Sequence, residues 1–491
     1  MSSTMLFVVI LFPIISGLAF VFLPIKNRNT KNALLECLVI INSILVWMLL
    51  LNRPADTFVL ANFTGSLSIA FKLDGLGMVF TGIVASLWPL ATLYAFEYMT
   101  KEEHENAFFM FYTMTYGVTL GIALSGNLLT MYFFYELLTL VTVPLVMHTL
   151  TREAIVATRK YLYYSIGGAA FGFIGLIFTI VYGTGQSFVL GGFLDMAKIG
   201  DRVDILLLVY VMAFFGFGVK AAICPLSSWL PQAGVAPTPV TALLHAVAVV
   251  KAGAFAIMRL TYYCFGPDFI RGTWAQYLTM IATMFTIVYG CSMAVKETHI
   301  KRRLAFSTVS NLSYILFGVT ILTPLGMVGA LCHMVFHAVM KICSFFCAGA
   351  IMHQTEKHYV HELDGLGRQM PAVFSIFTIS AFALMGVPGL AGFISKWNLA
   401  LAAFSSGNKL AYIGVGCLLV SALLTAIYML TIAIRAFFPS KDFDYETVKE
   451  YKDPNWQMLL PLGLFAIAII VFGLYSQPLV NFLSDVASGL F

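Results

Sequence analysis

The sequence predicts an all-α integral membrane protein with about 14 transmembrane helices. Three observations carry that prediction. Of the 491 residues, 60% are apolar and 10% charged, with a mean hydropathy of +0.90, a balance that a soluble chain of this length does not have. Predominantly apolar stretches of roughly 18–25 residues, the length that crosses about 30 Å of hydrocarbon, recur from Met5 almost to the end of the chain. They are too long for barrel strands, and lipid permits no other spanning backbone than helices and closed barrels.

The first stretch, 5–24, has no positive n-region, and its cationic residues Lys26, Arg28 and Lys31 come after it. It therefore reads as a helix and not as a cleaved leader. With 33–51 and 75–95 it makes an N-terminal unit, residues 1–106. Residues 107–262 hold five more stretches, at 107–124, 127–148, 161–184, 203–224 and 238–262. Residues 263–437 hold another five, at 274–295, 304–322, 325–351, 372–400 and 409–437. The last, 456–476, lies in a C-terminal unit of loop and helix, 438–491. Five crossings reverse the direction of the chain, so the two sets of five are expected to be inverted repeats.

The seventh and twelfth stretches support this pairing. In the seventh, Lys220 precedes Pro225, which removes a backbone donor and frees carbonyls in the turn before it. In the twelfth, Gly386-Val-Pro-Gly-Leu-Ala-Gly-Phe-Ile-Ser-Lys396 sets Pro388 and its glycines beside another lysine. Interrupted helices at corresponding places in two halves point to an ion site at the repeat interface.

The net charge of +5 matters less than its distribution. Lys and Arg concentrate on alternate loops, among them Arg152, Arg159, Lys160, Lys296, Lys301, Arg302, Arg303, Arg435, Lys441, Lys449 and Lys452. The opposite loops carry fewer, including Arg53, Lys72, Arg259 and Arg271. By the positive-inside rule the basic loops are cytoplasmic and both termini face outward. That explains Lys301-Arg-Arg303 as an orientation signal and not as a nucleic-acid site.

Cofactor-bearing classes are disfavoured. The eight cysteines form no CxxC, and no Walker A, dinucleotide fingerprint or HExxH occurs. No cofactor and no metal site is expected in this chain, so redox chemistry, where present, belongs to other subunits.

The candidate functional residues are ionisable groups in apolar surroundings. Glu136, in MYFFYELLTL, reads as the one acidic residue deep in an apolar stretch, and Lys220, Lys251, Lys341 and Lys396 are similarly stranded. An ionised side chain at mid-bilayer costs about 2.5–3.5 kcal/mol on insertion scales, so such groups pair, hydrate and move ions. Lysine suits proton work because burial favours its neutral form and a carboxylate restores its charge. A Glu136/Lys220 pair would release a proton when separated, and Lys251 is the next acceptor. His245 lies six residues before Lys251, rotated by roughly a third of a turn on a continuous helix. His333, His337 and Lys341 follow at i, i+4 steps and make one polar stripe. Each of these groups also admits a structural reading, as polar glue between helices. Asp74 and Glu97, at the ends of stretches, read as interfacial or capping residues.

At these residues the chain resembles a family. The segments FFYELLTL, VKAAICPLSSWLPQAGVAPTPVTALLHAVAVVKAGAFAIMRL, KRRLAFSTVSNLSYILFG and GVPGLAGFISKW resemble the antiporter-like membrane subunits of respiratory complex I, Mrp-type cation/proton antiporters (their D-type subunit) and membrane-bound energy-converting hydrogenases. The resemblance implies a fourteen-helix core with two inverted five-helix repeats broken at helices 7 and 12. It implies that Glu136, Lys220, Lys251 and Lys396 form a central hydrophilic axis for proton translocation, joined by His245, His333, His337 and, in the same stripe, Lys341. Lysine at 396 separates this chain from a complex I branch with glutamate there. Few residues follow the last stretch, unlike the largest members with their lateral helix. Gly234 stands where many relatives carry a histidine, which puts a proton-entry residue in doubt; Gly389 stands where many have a second proline, which implies a different break geometry.

The expected function is that of a proton-translocating subunit of a multisubunit complex in a prokaryotic cell membrane. It would be coupled either to a sodium gradient, as in Mrp-type antiport, or to a peripheral redox arm, as in NADH:quinone oxidoreductase or membrane-bound hydrogenase. Its partners would be homologous and small membrane subunits. Two other classes stay open: a free-standing secondary ion carrier, and a polytopic membrane enzyme. The enzyme reading needs a catalytic cluster, for which His353, His358, His361 and Asp364 in HQTEKHYVHELDG are the candidates.

Overall fold

The computed structural model describes residues 3–65, 67–439 and 450–490; Lys441, Lys449 and most of the loop ahead of the last stretch lie outside the described residues. The described chain is mostly helical. α1 (Thr4–Phe22) and α2 (Arg28–Asn52) are followed by a hairpin of β1 (Phe58–Asn62) and β2 (Ser68–Phe71), with Phe58 opposite Phe71 and Asn62 opposite Ser68. This hairpin is a local addition to the all-α expectation. α3 (Gly75–Tyr98), α4 (Glu105–Ala123), α5 (Leu128–Val146) and α6 (Arg152–Tyr182) come next, then a short α7 (Met196–Ile199) and α8 (Val203–Gly218). A one-turn α9 (Trp229–Gln232) leads into α10 (Thr238–Ala246), α11 (Val249–Met258) and a wider π-type turn, Arg259–Phe265.

The second half begins with a short α12 (Pro267–Ile270), then α13 (Trp274–Lys296), α14 (Ile300–Thr320) and the 32-residue α15 (Pro324–Thr355). A one-turn α16 (Leu366–Gln369) precedes α17 (Pro371–Met385) and α18 (Ala391–Ser405), followed by α19 (Lys409–Phe437) and α20 (Trp456–Leu474). α21 (Gln477–Ala487), which the sequence reading did not anticipate, packs back on α15 and α3.

Most residues of the apolar stretches are helical, with breaks inside the seventh, eighth and twelfth. Among the described residues, ten helical segments are long and apolar enough to cross a membrane. α8 and α17, the first parts of the two interrupted stretches, are shorter apolar helices. Helix starts are fixed by side chains that take orphan N–H groups: Asn27 accepts from Thr30, Asp74 from Gly77 and Asn127 from Thr130, at 3.2, 2.8 and 2.8 Å. Asp74 is thus a cap, as read from the sequence. Small residues allow close approach: a Cβ on Gly168 of α6 would lie 2.6 Å from the Gly216 carbonyl of α8.

The two most buried segments decide where charge can sit. α15 runs through the middle, packed on α14, α17, α18, α20, α10 and α3, and the segment Thr238–Phe265 is buried throughout its span. Lys251, His333, His337 and Lys341 lie on these two, each with no exposed surface.

Three expectations are corrected here. The stretch 238–262 is not continuous: Val247 and Ala248 leave helical geometry, and both their N–H groups turn back to the Leu243 carbonyl. Arg259 is no loop cation. It is fully buried in the π-type turn, forked onto Asp74 with Nη2 to Oδ1 at 2.7 Å, with the rings of Phe188, Phe255 and Tyr263 4.6–5.0 Å away. Glu136 is not the only acidic residue within a spanning helix; Glu36 of α2 carries a buried Oε2.

Candidate functional site

The first interruption opens before its proline. α8 stops at Gly218, and residues 219–228 pass through turns that include a left-handed Ala222 and a cis Cys224–Pro225 bond. Lys220 sits in this break, fully buried. Its ammonium donates to the Tyr135 carbonyl of α5 and lies 3.5 Å from the Tyr135 ring centre. Glycine at 253 lets α11 close against the break, since a Cβ there would be 2.4 Å from the Ala221 nitrogen.

Glu136 is the next residue on α5, half-buried, and its Oε1 has no protein partner. It and Lys220 are electrostatic neighbours. Among the described residues they form no ion pair within 4.0 Å; the Tyr135 carbonyl occupies the lysine in its place. A carboxyl and an amine that are electrostatic neighbours without a direct ion pair form a separable pair and not a locked one.

The interruption at Val247–Ala248 changes the expected link between His245 and Lys251. They stand on different helices, α10 and α11, so a rotation calculated for one continuous helix does not apply. Lys251 Nζ instead meets His337 Nδ1 of α15 at 2.8 Å. The His245 ring lies tilted against that of Phe345 with ring centres 4.8 Å apart, and neither of its ring nitrogens has a protein partner.

The stripe on α15 divides into two directions. His337 and His333 have ring centres 5.6 Å apart, and His333 Nδ1 reaches Ser395 Oγ of α18 at 2.9 Å. Lys341 turns the other way, donating to Ser307 Oγ of α14 at 2.7 Å, and Ser307 also accepts from the Tyr428 hydroxyl of α19 at 2.7 Å. The Nε2 atoms of His333 and His337 lack protein partners. Buried polar atoms without protein partners call for internal water.

At the second interruption every freed carbonyl is accounted for. α17 ends at Met385, and Gly386 and Gly389 take φ of +93° and +87°. Proline is confined near −65°, so a second proline cannot occupy 389 in this geometry. The Phe382 and Ala383 carbonyls accept from the N–H groups of Gly386 and Val387. Those of Leu384 and Met385 accept from Lys396 Nζ, at 2.7 and 2.9 Å. The Tyr314 ring joins His333 to Lys396, 5.0 Å from the His333 ring and 5.3 Å from Lys396 Nζ.

Sequence reasoning missed the hydroxyl groups that complete these contacts. Ser307, Tyr428 and Ser395 are buried, and the run AFSTVSNLSY within an apolar stretch was the available signal for α14. The basic turn at 301–303 also does more than orient. Lys301 donates to the Ala236 carbonyl at 2.9 Å and Arg303 to those of Glu297 and Tyr428, at 2.7 and 3.0 Å. The loop candidates do not converge. Asp364 pairs with Arg435 at 3.2 Å, Glu362 caps the His358 and Tyr359 N–H groups, and His353 sits at the end of α15. Among the described residues no three His, Cys, Asp or Glu side chains gather as a metal site.

Two family models match the chain. One described as "NADH:quinone oxidoreductase/Mrp antiporter, TM" covers residues 125–425, and one described as "NADH-Ubiquinone oxidoreductase (complex I), chain 5 N-terminus" covers 61–109. NADH-quinone oxidoreductase subunit N of Desulforudis audaxviator is 28% identical over 433 residues, 84% of this chain and 83% of that protein. Na(+)/H(+) antiporter subunit A1 of Staphylococcus aureus is 29% identical over 438 residues, 85% of this chain, which spans only 54% of that longer relative. The fold matches chains in the Mrp complex from Dietzia sp. (TM-score 0.86, 20% identity, 100% of this chain and 98% of that one) and the archaeal membrane-bound sulfane sulfur reductase (0.85, 22%, 100% and 98%). It also matches a chain of respiratory complex I from Thermus thermophilus (0.81, 22%, 98% and 98%).

Proposed function

The chain belongs to the NADH:quinone oxidoreductase/Mrp antiporter transmembrane family, and from that premise we propose that it is a proton-translocating, antiporter-like subunit of a multisubunit membrane complex. The observation that carries the proposal is a buried line at the centre of the bundle, in which Lys251 meets His337 and His333 meets Ser395, with the two imidazole rings 5.6 Å apart, both Nε2 atoms without protein partners, and Lys396 beside its end. Lysine and imidazole exchange protons at such a contact without moving the backbone. In one state the Lys251 ammonium donates to neutral His337 Nδ1; after transfer the imidazolium donates back to the amine. Lys396 and Lys220 sit at the two helix interruptions; Lys396 holds two carbonyls released where α17 ends, and Lys220 reaches across to the Tyr135 carbonyl of α5.

In this reading Glu136 acts as the gate. When it approaches Lys220 both stay ionised, and when it withdraws the buried lysine gives its proton toward Lys251. His245, with two unsatisfied ring nitrogens, serves as a water-linked side station, and Lys341 with Ser307 and Tyr428 as a branch toward α19. The driving energy comes from partner subunits, through a cation gradient or a redox arm. Homologous and small membrane subunits of a prokaryotic cell membrane are the partners that fit, with the basic loops on the cytoplasmic side. Redox cofactors belong to those partners.

The test is proton uptake by the assembled complex in proteoliposomes. Glu136→Gln and Lys220→Ala are each expected to lose transport with assembly intact. Full activity in both would remove the axis. Mass spectrometry of proteins that co-purify in mild detergent separates the coupling modes. Iron–sulfur or quinone-reductase-like partners mean redox drive, and small hydrophobic partners alone mean cation/proton antiport. A solitary chain means a free-standing carrier.

A further inference from the structure

A second polar line runs outside the axis, between α2 and α4. On α2, Arg28, Asn32, Glu36 and Ser43 follow at helical spacing on one face; on α4, Glu105, Tyr112 and Tyr116 do the same. The two rows meet along their length. Arg28 forks onto Glu105 at 2.7 and 2.8 Å, Lys31 donates to Asn106 at 2.9 Å, and Ser43 Oγ meets the Tyr116 hydroxyl at 2.8 Å. Between these ends Glu36 is the electrostatic neighbour of Tyr112. At 1.5 Å per residue the row is about 16 Å long on α4 and about 22 Å on α2, reaching from the basic-loop end of α4 toward mid-membrane.

Its middle is unsatisfied. Glu36 Oε2, both amide atoms of Asn42, the Tyr112 hydroxyl, Thr113 Oγ1 and Trp88 Nε1 are buried without protein partners. Asn42, Tyr112 and Trp88 have no exposed surface at all, and the Trp88 ring lies 4.9 Å from that of Tyr116 and 5.7 Å from that of Tyr112. Orphaned buried groups are expensive, and the mixture decides what satisfies them. A cation would serve the oxygens but not the indole and amide N–H donors. Water serves both, needing two to four polar partners.

We propose that the α2/α4 seam is a second, hydrated proton path whose proton-holding group is the Glu36 carboxyl. On loading, an O–H bond forms at Glu36 Oε2 as one O–H of a hydronium in the seam breaks, leaving water; discharge reverses the step toward Tyr112 and Tyr116. The charged and titratable groups facing it are Arg28 and Lys31 of α2 and Glu105, Tyr112 and Tyr116 of α4. α1 has no ionisable side chain and α3 offers Trp88. Glu36, Tyr112 and Tyr116 fall outside both matched family ranges, 61–109 and 125–425. The path's part in transport rests on the proton-moving function proposed above; the protonation of Glu36 does not.

Infrared difference spectroscopy of the assembled complex during a pH step reads the carboxyl directly. The protonated-carboxyl C=O band is expected to disappear in Glu36→Gln and to shift in Tyr112→Phe, which removes one hydroxyl and keeps the ring. Proton uptake in Glu36→Gln should fall by about 100-fold, the low side of what a positioned proton carrier contributes. A band that persists unchanged in Glu36→Gln overturns the proposal, and an unshifted band in Tyr112→Phe does so where Glu36→Gln fails to assemble. Lys251→Ala separates the two readings: it removes transport through the axis and leaves the Glu36 band in place. Loss of the band with normal uptake would leave Glu36 a buried acid and end its transport role.

Discussion

Replacing Lys396 separates structural from proton-carrying work at the second helix interruption. Four carbonyls end α17, two of them capped by the backbone turn and two by the Lys396 ammonium at 2.7 and 2.9 Å. Lys396→Met leaves the Leu384 and Met385 carbonyls without donors. A fully buried orphan costs about 1–3 kcal/mol; with Met385 and Lys396 half-buried, the two together cost less than the about 2–6 kcal/mol of a fully buried pair, partly offset because the ammonium goes too. Lys396→Arg keeps donors for both carbonyls but cannot be deprotonated in a protein. Two assays on the assembled complex therefore diverge. In thermal unfolding, Lys396→Met is expected to be less stable and Lys396→Arg nearer the parent. In proteoliposome proton uptake, both are expected to fall by about 100-fold or more, the contribution typical of a positioned acid or base. Parent-like uptake in Lys396→Arg would refute the proton-carrying role. Parent-like stability in Lys396→Met would refute the carbonyl accounting.

Other substitutions test the surrounding contacts. His337→Phe removes the group that meets Lys251 Nζ at 2.8 Å and is expected to reduce proton uptake about 100-fold, measured at equal assembled complex. Asp74→Asn retains the helix cap and leaves the fully buried Arg259 uncompensated; thermal unfolding should show a loss of about 3–5 kcal/mol, much of it recovered by adding Arg259→Met. His299 lies between α13 and α14, where burial and the nearby Lys301, His358 and Arg302 hold it at about 4 against an ordinary 6.5. The unfolded chain therefore binds this proton first as pH falls. Its stabilising effect is full above the ordinary value and is lost between it and about 4. His299→Gln should flatten that part of the stability profile, as followed by thermal unfolding across pH. Gly234→Ala should leave assembly and uptake unchanged, because no atom lies within 4 Å of a Cβ built there.

Much of the fold was legible in the sequence because lipid leaves the backbone so few solutions. A stretch such as 325–351 has to satisfy its own N–H and C=O groups, and helix is the only local way to do it. Pro388 with Gly386 and Gly389 marked the second interruption correctly, since their backbone limits are local properties. The interruption at Val247–Ala248 had no such mark. Nothing in LLHAVAVVK disfavours helix, and the turn back to the Leu243 carbonyl belongs to the packed bundle.

The same division runs through the charged residues. Composition and spacing by themselves determined that this is a helical membrane protein, that Lys220, Lys251, Lys341 and Lys396 are anomalous in it, and that His333, His337 and Lys341 share one helix face. Only the tertiary structure decided which buried group each one meets. Lys251 took His337 and not His245, Lys220 took the Tyr135 carbonyl and not the Glu136 carboxylate, and Arg259 left its loop for Asp74. A sequence period fixes the face a side chain occupies on its own helix, but the partner depends on the rotation, depth and tilt of the helix opposite. Those are set by the packing of the whole bundle.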